Sequence, residues 1–120
     1  MIRAIIMDVD GTLTDGSIYM SEKGEVIKCF DVKDGFALGT LLPENEIVPI
    51  IITGRKSEIL LKRCQELNIK YVIQNCKNKE NSMKKILLEL GISLEETAYI
   101  GDDLNDLKCM KLVAVKGCPN

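Results

Sequence analysis

Histidine does not occur in this sequence. Its absence excludes every Ser-His-Asp and Cys-His mechanism and every imidazole-ligated zinc or iron site, so acid, base and metal-ligand roles fall mainly to carboxylates. Aromatic residues are scarce, three Tyr and two Phe, too few for the stacking platforms that hold single-stranded nucleic acid. Neither sign of charge dominates: 16 Lys and Arg against 18 Asp and Glu give a net charge of −2. The basic residues are scattered, and no nucleic-acid partner is expected. No apolar run approaches the roughly 20 residues of a membrane span. Asp8 and Asp10 interrupt the N-terminal apolar stretch, which argues against a secretion signal and for a cytoplasmic protein. Cys29, Cys64, Cys76, Cys109 and Cys118 are odd in number and lack a Cys-x-x-Cys pair; they read as reduced thiols, mostly small fillers of a core.

What is present is a chain of 120 residues, 46% apolar and 28% charged, the size and composition of one soluble domain spanning 1–120. Its organising stretch is Ile2–Gly16, where an Ile-rich run ends abruptly in Asp8-Val9-Asp10-Gly11-Thr12. Such a run fits a strand covered on both faces, as in the interior of a parallel sheet. Two carboxylates delivered there repel each other and resist desolvation unless a cation lies between them or one takes a proton.

Ser17–Val32 reads as a β-hairpin, with Ser21-Glu22-Lys23-Gly24 as the turn and Val26–Phe30 as the second strand. Two strands alone are marginal, so the hairpin needs a surface to lie on. A short helical piece is predicted from Asp34 to Pro43. Ile47–Thr53 is a second buried strand, with Pro49 awkward because it cannot donate to a ladder. Ser57 caps a helix to about Leu67 that carries Leu60, Leu61, Cys64 and Leu67 on one face. Tyr71–Gln74 is a third strand. A helix succeeds it over Lys79–Leu90, its apolar face Met83, Ile86, Leu87 and Leu90, stopped by Gly91. Ser93 and Glu96 have capping-box spacing. Thr97–Ile100, Asp103–Met110 and Leu112–Val115 complete the pattern as strand, helix and strand. Alternation at this spacing implies an α/β fold with a central parallel sheet and helices on both faces.

In open α/β sheets ligands bind beyond the carboxyl ends of the strands. The first strand runs into Asp8 and Asp10, the second into Thr53-Gly54-Arg55, the third toward Lys79 at a helix start, and the fourth into Gly101-Asp102-Asp103. All the unusual polar groups fall on one edge. They suit the transfer of a phosphoryl group, which needs its charge offset, an in-line nucleophile and a proton for the leaving oxygen. Magnesium prefers hard oxygen ligands, which Asp8 and Asp102 supply. One carboxylate can attack phosphorus while a second serves as acid and then base. Thr53, Lys79 and backbone N–H groups at helix starts can hold the phosphoryl oxygens.

Asp8-Val9-Asp10-Gly11-Thr12, Thr53-Gly54-Arg55, the downstream lysine and Gly101-Asp102-Asp103-Leu104-Asn105-Asp106 resemble the four motifs of the haloacid dehalogenase superfamily of phosphatases. The longer strings around them, Phe30-Asp31-Val32-Lys33-Asp34-Gly35-Phe36 included, are similar to its capless branch, which includes phosphatases of sugar-acid phosphates of the 3-deoxy-octulosonate 8-phosphate and nonulosonate 9-phosphate type. The resemblance implies a Rossmannoid three-layer sandwich, with a hairpin flap at about 17–32 after the first strand and no cap domain. It implies Asp8 as nucleophile, Asp10 as general acid/base lending its backbone carbonyl to Mg2+, and Asp102 as the further metal ligand. Thr53 and Lys79 would bind the phosphoryl group, with Gly54 beside them and Arg55 toward the substrate, a planar donor suited to its carboxylate. Asp103 and Asp106 would be supporting carboxylates that orient metal waters or Lys79. A homotetramer joined through the flap would wall off each site. Around the third motif the branch carries Gln-Gly-x-x-Asp-Lys, whereas Gln74-Asn75-Cys76-Lys77-Asn78-Lys79 lacks the Gly and the Asp, which leaves Lys77 as a second, weaker candidate for the phosphate lysine. The branch also ends in a Gly-rich tail and helix with no counterpart in these 120 residues.

Other readings remain open from the residues. A calcium loop starting at Asp8 would need Gly at its sixth position and Glu at its twelfth, where Leu13 and Tyr19 stand. A receiver-type phosphoacceptor shares the Asp/Thr/Lys set but places its acceptor Asp after the third strand, where nothing acidic follows directly. A catalytically idle relative serving as an oligomerisation module is the third alternative.

Overall fold

The computed structural model describes residues 1–9, 12–13, 19–21, 24–27, 35, 37–102 and 104–118, with backbone alone for 19–21 and 24–27. In chain order the elements are β1 (Ala4–Met7), β2 (Tyr19–Ser21), β3 (Gly24–Ile27), a π-helical turn (Ala37–Leu41) continuing into α1 (Leu42–Glu44), and β4 (Val48–Ile52). Then come α2 (Glu58–Glu66), β5 (Tyr71–Ile73), α3 (Lys79–Leu90), a 3-10 turn (Leu94–Glu96), β6 (Thr97–Ile100), α4 (Leu104–Met110) and β7 (Val115–Gly117).

Five strands form one parallel sheet in the order β5-β4-β1-β6-β7, and β2 and β3 form a separate antiparallel pair. β1 is central because each of its residues is apolar and both faces are covered. Ala4 and Ile6 join Ile50, Ile52, Tyr99, Met83, Leu87, Cys109 and Val113 on the face bearing α3 and α4. Met7 joins Ile51, Leu60, Cys64 and Leu38 on the face bearing α2 and the 37–44 helical segment. Each fully buried Ile or Leu contributes roughly 1.5–3 kcal/mol, and Ile6, Ile50, Ile52 and Leu60 are all 1% exposed or less. The chain builds outward to β5, then jumps back across β1 to β6. That reversal opens a crevice beyond the carboxyl ends of β1 and β6.

The helix ends match their residues. Ser57 accepts from the Leu60 N–H and Asn78 from the Asn81 N–H. Ser93 and Glu96 form the expected reciprocal box. Gly91 takes the left-handed conformation, φ 69°, that closes α3. Pro49 lies in β4 without loss. Val48 N–H bonds the Arg3 carbonyl and Thr53 N–H the Ile73 carbonyl, so by alternation residue 49 faces β5 at a level where β5 has not begun.

Four expectations are corrected. The last strand is not Leu112–Val115 but Val115–Gly117: Leu112 N–H closes α4 on the Cys109 carbonyl, Val113 plugs the core, and Ala114 N–H reaches the Thr97 carbonyl before pairing begins. The helical piece expected at Asp34–Pro43 runs on to Glu44. Pro43 sits in the first turn of α1, where a proline is tolerated, and Asn45 and Glu46 make the turn; Asp34 lies outside the described residues. Leu61 does not share the buried face of Leu60 and Cys64, being 39% exposed, because it is roughly 100° further round the helix. In the hairpin, Gly24 pairs with Ser21 as part of the second strand, which runs Gly24–Ile27 with a register shift at Tyr19/Met20. The remainder of 17–32 lies outside the described residues.

Candidate functional site

β1 ends at Met7, and the next residue, Asp8, is held to the neighbouring strand by its N–H on the Ile100 carbonyl, 3.1 Å. Its carboxylate, almost wholly buried, therefore points from the middle of the sheet's carboxyl edge. Lys79, the first residue of α3, reaches it with Nζ 3.0 Å from Asp8 Oδ1. The same ammonium donates to Asp106 Oδ1 at 2.8 Å, and the Tyr99 phenol donates to that oxygen at 2.6 Å. Lys79, Asp106 and Tyr99 are buried, the last two completely. Lysine and aspartate are seldom buried unless paired, and each of these is paired.

Burial pushes the Asp8 carboxyl up to about 6, against the downward pull of Lys79. Burial alone would lower the Lys79 ammonium, but Asp106 and Asp8 together hold it above its ordinary value. The lysine stays charged while Asp8 gives up its proton reluctantly. Carboxylate oxygens of Asp8, exposed Asp102 and Asp106 lie within 4.8 Å of one another. Among the described residues, three carboxylates against one ammonium leave two negative charges, the charge of one divalent cation, and all the donors are hard oxygens of the kind magnesium takes.

The second motif approaches from β4. Thr53, 3% exposed, comes directly after Ile52, and its Oγ1 accepts the Arg55 N–H at 3.3 Å, leaving the hydroxyl hydrogen to donate elsewhere. Cys76 N–H bonds the Thr53 carbonyl and Asn75 N–H the Arg55 carbonyl, and Ser57 N–H bonds Gln74 Oε1, so the loops after β4 and β5 are tied together. Gly54 and Arg55 are exposed. At both departures of the third motif the residue present serves the backbone. Asn75 takes φ 52° where the family pattern has Gly, a conformation asparagine tolerates. Asn78 caps α3 where the pattern has Asp. Between the candidate lysines, Lys79 stands at the carboxylates and Lys77 is exposed.

The structure thus brings Asp8, Lys79, Asp102 and Asp106 together, with Thr53-Gly54-Arg55 at the end of the adjacent strand. Asp10 and Asp103 lie outside the described residues. Sequence reasoning passed over Tyr99. The signal was available: a phenol inside an otherwise buried strand, two residues before Gly101-Asp102, needs a partner for its hydroxyl. The two buried thiols, Cys64 and Cys109, are poor nucleophiles. Burial raises Cys64 to about 11 and raises Cys109 too, which keeps both protonated.

Residues 72–116 match a family model described as haloacid dehalogenase-like hydrolase. Over 114 residues the chain is 43% identical to the 3-deoxy-D-manno-octulosonate 8-phosphate phosphatase of Salmonella typhi, covering 95% of this chain and 60% of that protein. The chain thus spans about 60% of the length of the curated relatives it matches. The cobalt-bound deoxy-D-mannose-octulosonate 8-phosphate phosphatase of Haemophilus influenzae superposes with a TM-score of 0.93 at 36% identity, over 98% of this chain and 68% of the other. The corresponding phosphatase of Moraxella catarrhalis, in complex with magnesium, phosphate and a KDO molecule, gives 0.88 at 41% identity, over 94% of this chain and 64% of the other.

Proposed function

Since this chain belongs to the haloacid dehalogenase-like hydrolase family, we propose that it is the catalytic core of a magnesium-dependent phosphomonoesterase acting on a small phosphorylated sugar acid. The observation that carries the reading is the buried Lys79 ammonium shared between Asp8 and Asp106 at the topological switch point. An ion pair serving structure alone has no need to sit on the one sheet edge where Asp8, Thr53 and Asp102 also converge.

In the proposed reaction Asp8 attacks phosphorus while Asp10 protonates the departing sugar oxygen. The resulting aspartyl-phosphate is hydrolysed by water, with Asp10 returning as base. Thr53 and Lys79 bind the phosphoryl oxygens, and Lys79 offers the incoming dianion a fixed positive charge. Gly54 leaves the loop open beside them, and Arg55 faces the substrate, where a planar guanidinium suits a carboxylate. Asp8, Asp102 and the Asp10 backbone carbonyl would hold Mg2+, which supplies charge compensation for the phosphoryl group. Asp103 and Asp106 support, Asp106 by orienting Lys79. The magnesium complex of the Moraxella relative and its bound KDO molecule support the octulosonate 8-phosphate type of substrate, with a nonulosonate 9-phosphate as the neighbouring possibility.

The wider expectations belong to the same proposal: a single domain over 1–120, a homotetramer joined through the hairpin flap, and a cytoplasmic location. Among the described residues no helix is long and apolar enough to cross a membrane. The receiver alternative lacks its acceptor, since β5 is followed by Gln74 and Asn75 rather than an Asp. The test is phosphate release from 3-deoxy-octulosonate 8-phosphate and from an aryl phosphate by the full-length protein. Release should require Mg2+ and vanish in Asp8→Asn; normal turnover by that variant refutes the nucleophile.

A further inference from the structure

The Tyr99 phenol is fully buried on β6, in register with Ile6 of the central strand, so the sheet sets its position. Its hydroxyl donates to the Asp106 oxygen that also receives Lys79. Asp106 rides on α4, a helix of only seven residues, and its carboxylate is fully buried. At Gly101 a Cβ would come within 2.5 Å of Asp106 Cγ and 2.6 Å of its Oδ2. The strand end is therefore bare where the carboxylate enters, and the phenol meets the carboxylate's other oxygen.

Two donors on one oxygen divide its charge. With the phenol in place, Asp106 Oδ1 cannot turn wholly toward Lys79, and the ammonium stays extended between Asp106 and Asp8. Remove the phenolic hydroxyl and Oδ1 loses one of its two donors, so its pull on Lys79 strengthens and draws the ammonium away from Asp8. We propose that Tyr99 is a positioning residue for the reaction: its hydroxyl fixes Asp106 and, through it, the place of the Lys79 ammonium beside the nucleophile. The kinetic side of this rests on the phosphatase reading above; the geometric side does not.

The experiment is a double-mutant cycle on the full-length protein. Tyr99→Phe removes one oxygen and keeps the packing. It should lower kcat about tenfold or more, the scale of one hydrogen bond to a charged group, with KM within about twofold. In an Asp106→Asn background the same change should have almost no further effect, because the residue through which it acts is already altered. Unchanged kcat in Tyr99→Phe, or the full loss reappearing in the Asp106→Asn background, overturns the proposal. Should Asp106→Asn fail to fold, the 1H–13Cε resonance of Lys79, located by its loss in Lys79→Met, decides the matter: it must move in Tyr99→Phe, and a fixed resonance overturns the relay. Because that signal needs no turnover, a wild-type protein without phosphatase activity would strike the proposed function and still leave the relay tested.

Discussion

Replacing Lys79 by Met keeps the unbranched stem, one atom shorter, and deletes its charge, leaving Asp8 and Asp106 facing each other in a nearly water-free site. The Lys79, Asp8 and Asp106 side chains are 6%, 10% and 0% exposed. Removing one member of a buried ion pair costs about 3–5 kcal/mol. Direct repulsion has at least the same scale: carboxylate oxygens within 4.8 Å of one another, at an effective dielectric of about 20, repel by roughly 3.5 kcal/mol or more. The loss depends on pH in a defined direction. Asp8 already has its carboxyl raised from 3.8 to about 6, and without the ammonium it must rise further. A carboxyl raised by folding favours the folded state at low pH, and that benefit is lost as pH climbs from the unfolded value through the folded one. Wild type and Lys79→Met should therefore differ by about 3–5 kcal/mol at pH 8, and by much less near pH 4, where a protonated Asp8 no longer needs the ammonium. Urea unfolding in EDTA at both pH values measures this, and added Mg2+ should narrow the gap at pH 8. A difference that is the same at both pH values, or absent at pH 8, would show that the buried pair does not carry the charge balance claimed for it.

Two further outcomes are expected from the same geometry. Mg2+ affinity measured by calorimetry should be flat above about pH 6 and fall about tenfold per unit below it, because the proton competes for Asp8, whose carboxyl sits at about 6; an affinity independent of pH between 5 and 7 would remove Asp8 from the ligand set. Gly101→Ala places a methyl against the Asp106 carboxylate and should cost about 1–3 kcal/mol in thermal unfolding together with most of the phosphate release, whereas a fully active, stable variant would mean that Asp106 can sit elsewhere.

The architecture was legible because its signals are local. Short β-branched, Ile-rich runs fit covered strands, and Ser57, Asn78, Gly91 and the Ser93/Glu96 pair mark helix ends by chemistry that depends on neighbours a few positions away. Where the apolar pattern was ambiguous it misled: Leu112 and Val113 look like strand, but one closes a helix and the other fills the core. The site's ends were legible for a similar reason, since each polar cluster adjoins the end of its strand. Which groups touch was not. That Lys79 rather than Lys77 meets Asp8, and that Tyr99 holds Asp106, depends on contacts between residues 7 to 71 positions apart, and periodicity carries no information at that range.

Pro49 has a consequence for folding fidelity. The N–H it lacks is the one that would have met a carbonyl at the level of Ile69, two residues before β5 begins. The strand cannot be prolonged backward, and Asn68 and Ile69 are left to turn instead, Asn68 at φ 58° and Ile69 with its N–H on the Cys64 carbonyl. A three-residue outer strand would otherwise be prone to creep along its neighbour, carrying Asn75 and Lys79 with it. An imino acid on the neighbouring strand is thus a stop, and the distance from that stop to the lysine is what a misaligned chain would get wrong.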